Sequence, residues 1–152
     1  MKQHLLKATI LLGGLTTISP SFAIVNGEQV TEVKPWMANL ISNSGGHFCG
    51  GTLIADKWVL TAAHCIVDNA PDEFYVTLGG LKHNGVDAKE KRYIKNIISH
   101  EKYSQDENAA SDAQAYDIAL LELKEASKQE TATLASEEWP AGTPVSVMGW
   151  GQ

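Results

Sequence analysis

The sequence predicts an all-β fold. Three observations carry this: short apolar runs recur from residue 24 onward, turn-forming residues separate them, and no long amphipathic helical pattern lies between them. A length of 152 residues is enough for one domain with a sizeable core. A composition 43% hydrophobic and 20% charged excludes gross disorder and collagen-like order.

The elements follow in order. Residues 35–41 (Pro35-Trp36-Met37-Ala38-Asn39-Leu40-Ile41) form a candidate strand, closed by the turn-rich Ser42-Asn43-Ser44-Gly45-Gly46. Residues 47–54 read as a second strand, in which the pair Gly50-Gly51 marks a bend or a close backbone approach. Ala55-Asp56-Lys57 turns the chain into a third, Trp58-Val59-Leu60-Thr61. Residues 74–78 alternate and stop at Gly79-Gly80, residues 93–99 and 118–123 are further strands, and residues 145–150 begin another. Residues 81–91, 104–116 and 125–144 read as loops; the last contains Pro140, Gly142 and Pro144. No internal repeat or low-complexity tract interrupts the pattern.

The first 23 residues stand apart. Lys2 and Lys7 make a positive start, residues 8–18 a short apolar run, and Pro20-Ser21-Phe22-Ala23 a small-residue cleavage site. This is the layout of a secretory signal peptide, and the apolar run is too short to span a bilayer. The chain is expected to be secreted, to the extracellular space or the periplasm, with no membrane attachment once the leader is removed. Cleavage removes two lysines and takes the formal charge from -6 to -8, 10 basic against 18 acidic side chains. That balance argues against a nucleic-acid partner, because phosphate binding needs cations.

There are two cysteines, Cys49 and Cys65. In an oxidising compartment such a pair becomes a disulfide, closing a loop of about fifteen residues worth roughly 3 kcal/mol in the chain-entropy model. Two unpaired buried thiols are the alternative.

Two segments carry chemistry. Thr61-Ala62-Ala63-His64-Cys65 follows a strand directly, and its alanines allow tight packing beneath an imidazole whose pKa suits proton transfer. Asp117 stands at the mouth of the apolar run Ile118-Ala119-Leu120-Leu121, where a carboxylate needs a donor such as an imidazole N–H. Taken singly, each is read as well by a structural role: a hydrogen-bonded core histidine, a strand-start aspartate. His47, His83 and His100 have no comparable setting.

Together the segments resemble the chymotrypsin family of serine proteases, also called trypsin-like. The resemblance rests on Ile24-Val25-Asn26-Gly27, Pro35-Trp36, Phe48-Cys49-Gly50-Gly51-Thr52-Leu53-Ile54, Trp58-Val59-Leu60-Thr61-Ala62-Ala63-His64-Cys65, Asp117-Ile118-Ala119-Leu120-Leu121 and Gly149-Trp150-Gly151, in the family's order. It implies a double β-barrel, of which this chain holds the first barrel (24–124), a crossover (125–144) and the start of the second barrel (145–152). It implies that His64 is the general base and Asp117 the carboxylate that orients it. It also implies a protein or peptide substrate, no organic cofactor and no catalytic metal.

No Gly-Asp-Ser-Gly-Gly occurs. The nucleophile, oxyanion hole and specificity pocket of the resemblance are therefore expected outside these residues, and the chain is expected to be inactive as it stands. Ser127, Ser136 and Ser146 follow Asp117 but lack the glycine-rich context. A catalytically inactive homologue acting as a binding module is the alternative. Two departures concern the ends of loops. Ala23 precedes Ile24 where family members carry a basic residue, so signal cleavage alone is expected to free Ile24 as the mature N-terminus. In residues 80–90, the family's calcium loop, Gly80 replaces an acidic ligand and leaves Asp87 and Glu90, so a solvated polar loop is expected. The acidic residues Asp106, Glu107 and Asp112 lie beside the expected substrate cleft.

Overall fold

A computed structural model describes residues 27–105 and 113–151. The expected leader, Ile24, and Asp106, Glu107 and Asp112 lie outside the described residues. Six strands, β1 (Met37–Ser42), β2 (His47–Ala55), β3 (Trp58–Thr61), β4 (Phe74–Leu78), β5 (Glu90–Ser99) and β6 (Ala119–Leu123), close into an antiparallel barrel in the order β1-β2-β3-β6-β5-β4. Two 3₁₀ turns, Ala63–Cys65 and Ala113–Tyr116, stand at the entries to the site described below. Among the described residues no helix is long and apolar enough to cross a membrane.

The inside of the barrel is filled, as a small barrel must be. Leu40, Leu53, Val59, Phe74, Val76, Leu78, Ile94, Leu121 and Leu123 form its core, and Phe48 meets Phe74 edge to face. β6 shows the pleat plainly: Ala119, Leu121 and Leu123 are buried while Leu120 and Glu122 face outward.

The expected strands up to residue 123 form, with shifted ends. β5 starts at Glu90 because Glu90 and Lys91 pair with Leu78 and Thr77 of β4, so the polar loop is shorter than expected. The stretch 104–116 is not wholly loop, since it ends in the second 3₁₀ turn. Residues 145–150 form no strand. A strand needs an open edge to pair with, and the six-stranded ring has none. Trp150 is instead the segment's point of attachment, its ring 5.8 Å from that of His47 and its indole N–H donating to the Leu81 carbonyl at 2.7 Å.

Of the glycine pair, only Gly51 is required by close approach. A Cβ there would lie 2.8 Å from the Leu60 carbonyl oxygen and 2.8 Å from Val59 Cγ1, whereas at Gly50 the nearest atom is 3.9 Å away.

The segment after β6 is strapped back across the barrel. Ser127 N–H donates to the Asp56 carbonyl at 2.7 Å and Ala132 N–H to that of Leu53 at 2.9 Å. Glu90 holds the middle of the strap. Its carboxylate accepts from the Ser127 hydroxyl at 2.7 Å and the Lys128 N–H at 3.1 Å, and pairs with Arg92 at 2.9 Å. Burial pushes the Glu90 pKa up, but the hydrogen bonds from Ser127, Lys128 and Gln129 and the Arg92 charge bring it below its ordinary value.

Two outcomes follow from this packing. Gly51→Ala is expected to cost roughly 1–3 kcal/mol through overpacking, read as a lower thermal midpoint by circular dichroism, while Gly50→Ala leaves the midpoint nearly unchanged. A carboxyl whose pKa is lowered on folding contributes stability that is fully present above its unfolded value, about 4.3, and is lost as pH falls through the folded one. Urea unfolding at a series of pH values down to about pH 3 is therefore expected to show falling stability, with a shallower fall in Glu90→Gln. An identical acid slope in the variant would refute the role given to Glu90.

Candidate active site

The site sits where β3 ends and β6 begins. These strands are antiparallel neighbours, with Thr61 opposite Ala119. The chain leaves β3 through extended Ala62 into the 3₁₀ turn that carries His64, and enters β6 from Asp117. Pairing of the two strands thus delivers an imidazole and a carboxylate, distant in sequence, to one end of the barrel.

Local contacts fix both. The Thr61 hydroxyl donates to the Gly50 carbonyl at 2.8 Å, tying the end of β3 to β2. Ala63 is fully buried, which lets the turn lie on the barrel. Cys65 is disulfide-bonded to Cys49 of β2, with Cα atoms 6.1 Å apart. This settles the question of free thiols left open by the sequence. On the other side, the His100 ring stacks on Tyr116 at 4.6 Å, and His100 N–H donates to the Ile118 carbonyl at 3.0 Å, bracing the turn that presents Asp117.

Asp117 grips His64 twice. Its Oδ1 accepts the His64 backbone N–H at 2.8 Å and its Oδ2 lies 2.7 Å from His64 Nδ1. Burial pushes the Asp117 pKa up, but these two hydrogen bonds, the imidazole charge and a bond from the Ala63 backbone outweigh it, and the pKa is lowered. An ionised carboxylate only accepts, so Nδ1 carries a proton. In the neutral ring the lone pair then sits on Nε2. The His64 side chain is 58% exposed, so Nε2 can be reached from solvent, with Cys65 Sγ 3.4 Å away. The arrangement is chemically a proton acceptor with a fixed tautomer, backed by a negative charge.

The other singled-out residues stay apart from this pair. His47 is bound to buried Asn39: Asn39 Nδ2 donates to the His83 carbonyl at 2.7 Å, so its Oδ1 accepts from His47 Nδ1 at 2.6 Å. Burial, aided by His83, lowers the His47 pKa against an opposing bond to the Gly151 backbone. Ser127 is buried against Glu90, and Ser136 and Ser146 are exposed. The residues of the loop 80–90 do not fit a calcium ion. Asp87 accepts from the Leu81 and Lys82 N–H groups at 3.0 Å each, and Glu90 is committed to Ser127 and Arg92, so neither carboxylate is turned toward a shared centre. The His100–Tyr116 and Asn39–His47 contacts were not foreseen from sequence, where no spacing marks them.

The sequence matches the family profile for trypsin over residues 24–152. The chain belongs to the trypsin family. It is 36% identical to trypsin theta of Drosophila melanogaster over 133 residues, covering 84% of this chain and 48% of the relative. It is 35% identical to a trypsin of Sarcophaga bullata over 133 residues, covering 84% of this chain and 49% of that protein. Among solved structures it is similar to the secreted serine protease VesC of Vibrio cholerae, with a TM-score of 0.61 and 32% identity over 71% of this chain and 23% of that one. This trypsin-family chain thus spans about half the length of the curated trypsins it matches. The six-stranded barrel is its share of the family's double-barrel fold.

Replacing Asp117 by Asn keeps the volume but leaves one acceptor oxygen for two His64 donors. The imidazole proton is expected to redistribute toward Nε2, read in the ¹⁵N shifts of the His64 ring. A ring that stays protonated at Nδ1 alone would contradict the tautomer assignment.

Proposed function

We propose that this chain is the first-barrel half of a secreted serine endopeptidase, with His64 as general base and Asp117 as the carboxylate that orients it. The observation that carries this reading is the doubly bonded His64–Asp117 pair at the mouth of a trypsin-family barrel. In the reaction, His64 Nε2 takes the hydroxyl proton of a serine as that oxygen attacks a peptide carbonyl, and the imidazolium then protonates the leaving amine. Asp117 keeps the proton on Nδ1 and stabilises the charged ring. The serine, the oxyanion amides and the substrate pocket come from sequence these 152 residues do not contain, since no Gly-Asp-Ser-Gly-Gly occurs in them.

The 152 residues alone therefore hydrolyse no peptide. The substrate class is protein or peptide, no organic cofactor takes part, and the acidic charge disfavours nucleic acid. Residues 1–23 act as an export leader, 24–124 as the first barrel, 125–144 as the crossover, and 145–152 lead into the second barrel. Leader removal after Ala23 exposes the Ile24 amine without a further cut. The secreted character of VesC supports export.

The test pairs the 152-residue chain with a chain extended by the coding sequence that follows codon 152. Peptide hydrolysis and labelling by a serine-directed phosphonate are expected only in the extended chain. In it, Asp117→Asn is expected to lower kcat by roughly 10⁴-fold and His64→Ala by about 10⁶-fold. Undiminished turnover in His64→Ala, or an extended chain that carries no serine and no activity, would overturn the reading in favour of an inactive homologue. N-terminal sequencing of exported protein is expected to begin at Ile24, and any other first residue would refute single-step maturation.

A further inference from the structure

Cys49, His64 and Cys65 bring three ligand atoms within 4.8 Å of one another. In the oxidised chain the two sulfurs are bonded to each other and cannot act as thiolates. We propose that the chain with this disulfide reduced, its state before the bond is closed, binds one thiophilic divalent metal ion, zinc by preference, through Cys49 Sγ, Cys65 Sγ and His64 Nε2.

The geometry is near what the ion requires. Bond lengths of about 2.05 Å to nitrogen and about 2.3 Å to sulfur put tetrahedral N and S ligands roughly 3.5 Å apart, and His64 Nε2 already lies 3.4 Å from Cys65 Sγ. The two sulfurs must part to about 3.8 Å, which side-chain rotation achieves with the Cα atoms held 6.1 Å apart. Asp117 on Nδ1 supplies the outer partner that zinc-bound imidazoles have, fixing ring orientation and raising basicity. The exposed side of His64 leaves a fourth position to water. Two thiolates, one imidazole and a water suit zinc better than a hard cation.

Each of these positions has a holder besides the sulfur bond. Cys49 is held in the β1–β2 ladder opposite Leu40. His64 is held by its backbone bond to Asp117, and the turn by Cys65 N–H to Ala62 and Ile66 N–H to Ala63. The chemistry balances. A dithiol reductant gives two electrons and two protons to the Sγ–Sγ bond and becomes a disulfide itself, leaving two thiols. The entering ion displaces one proton from each thiol, so one M²⁺ is bound and two protons are released. The ion takes the Nε2 lone pair, so metal binding and proton transfer exclude each other in the reduced chain.

Cobalt(II) is the probe, added without oxygen to the whole chain after reduction. Circular dichroism is recorded in parallel, because cysteines of an unfolded chain also bind metals. One equivalent is expected to give tetrahedral d–d bands and a thiolate-to-cobalt charge-transfer band on a folded spectrum. A slight excess of zinc is expected to bleach them. The oxidised chain and Cys49→Ser are expected to give no bands. His64→Ala is expected to change the band positions and weaken binding, and Asp117→Asn to weaken binding about 10–100-fold. Bands identical in His64→Ala and wild type, no bands in the reduced wild type, or bands that persist unchanged in urea would each overturn the site.

Discussion

The pairing of β3 with β6 is the constraint on which the rest depends. Thr61 opposite Ala119 sets which residues leave the barrel together, and only that register puts His64 beside Asp117. A slip by one residue would turn the buried side chains of β6 outward and lift the carboxylate off the imidazole together. The core residues Leu121 and Leu123 therefore guard the site as well as the fold. The bond from Thr61 to Gly50 and the bridge from Cys65 to Cys49 tie the same corner to β2, so three strands converge beneath one histidine.

The carboxylates show how similar groups are put to different ends. Asp87 and Glu90 both have lowered pKa values, the first led by the Leu81 N–H bond and the second by hydrogen bonds that overcome its burial. Asp87 closes its own loop and Glu90 anchors a strap. Asp117 is as fully engaged, yet one of its donors is an imidazole whose far nitrogen stays open. Chemistry becomes possible where a saturated carboxylate passes its influence on to a group that solvent can reach.

Much of this was legible in the sequence, for physical reasons. Apolar runs bounded by Gly79-Gly80 or by Ala55-Asp56-Lys57 located β4 and β3, because a strand's period and its turn residues are both local. His64 and Asp117 were ambiguous singly and became specific through the ordered motifs around them. What escaped was non-local and polar. Ser127 reaches Glu90, and His100 stacks on Tyr116, across separations that no periodic pattern encodes. Residues 145–150 read as a strand because alternation records only a capacity to pair, and the closed ring offers no partner.

The strap has a mechanical consequence. With residues 127–132 clipped to Asp56, Leu53 and Glu90, the chain is anchored on β2, the turn after it and β5 before it moves on. A tug or a change of length beyond residue 132 reaches those clips first, and the His64–Asp117 corner lies behind them. Residues 133–144 belong to none of the six strands, so a change of length among them meets the clips before it meets the proton acceptor.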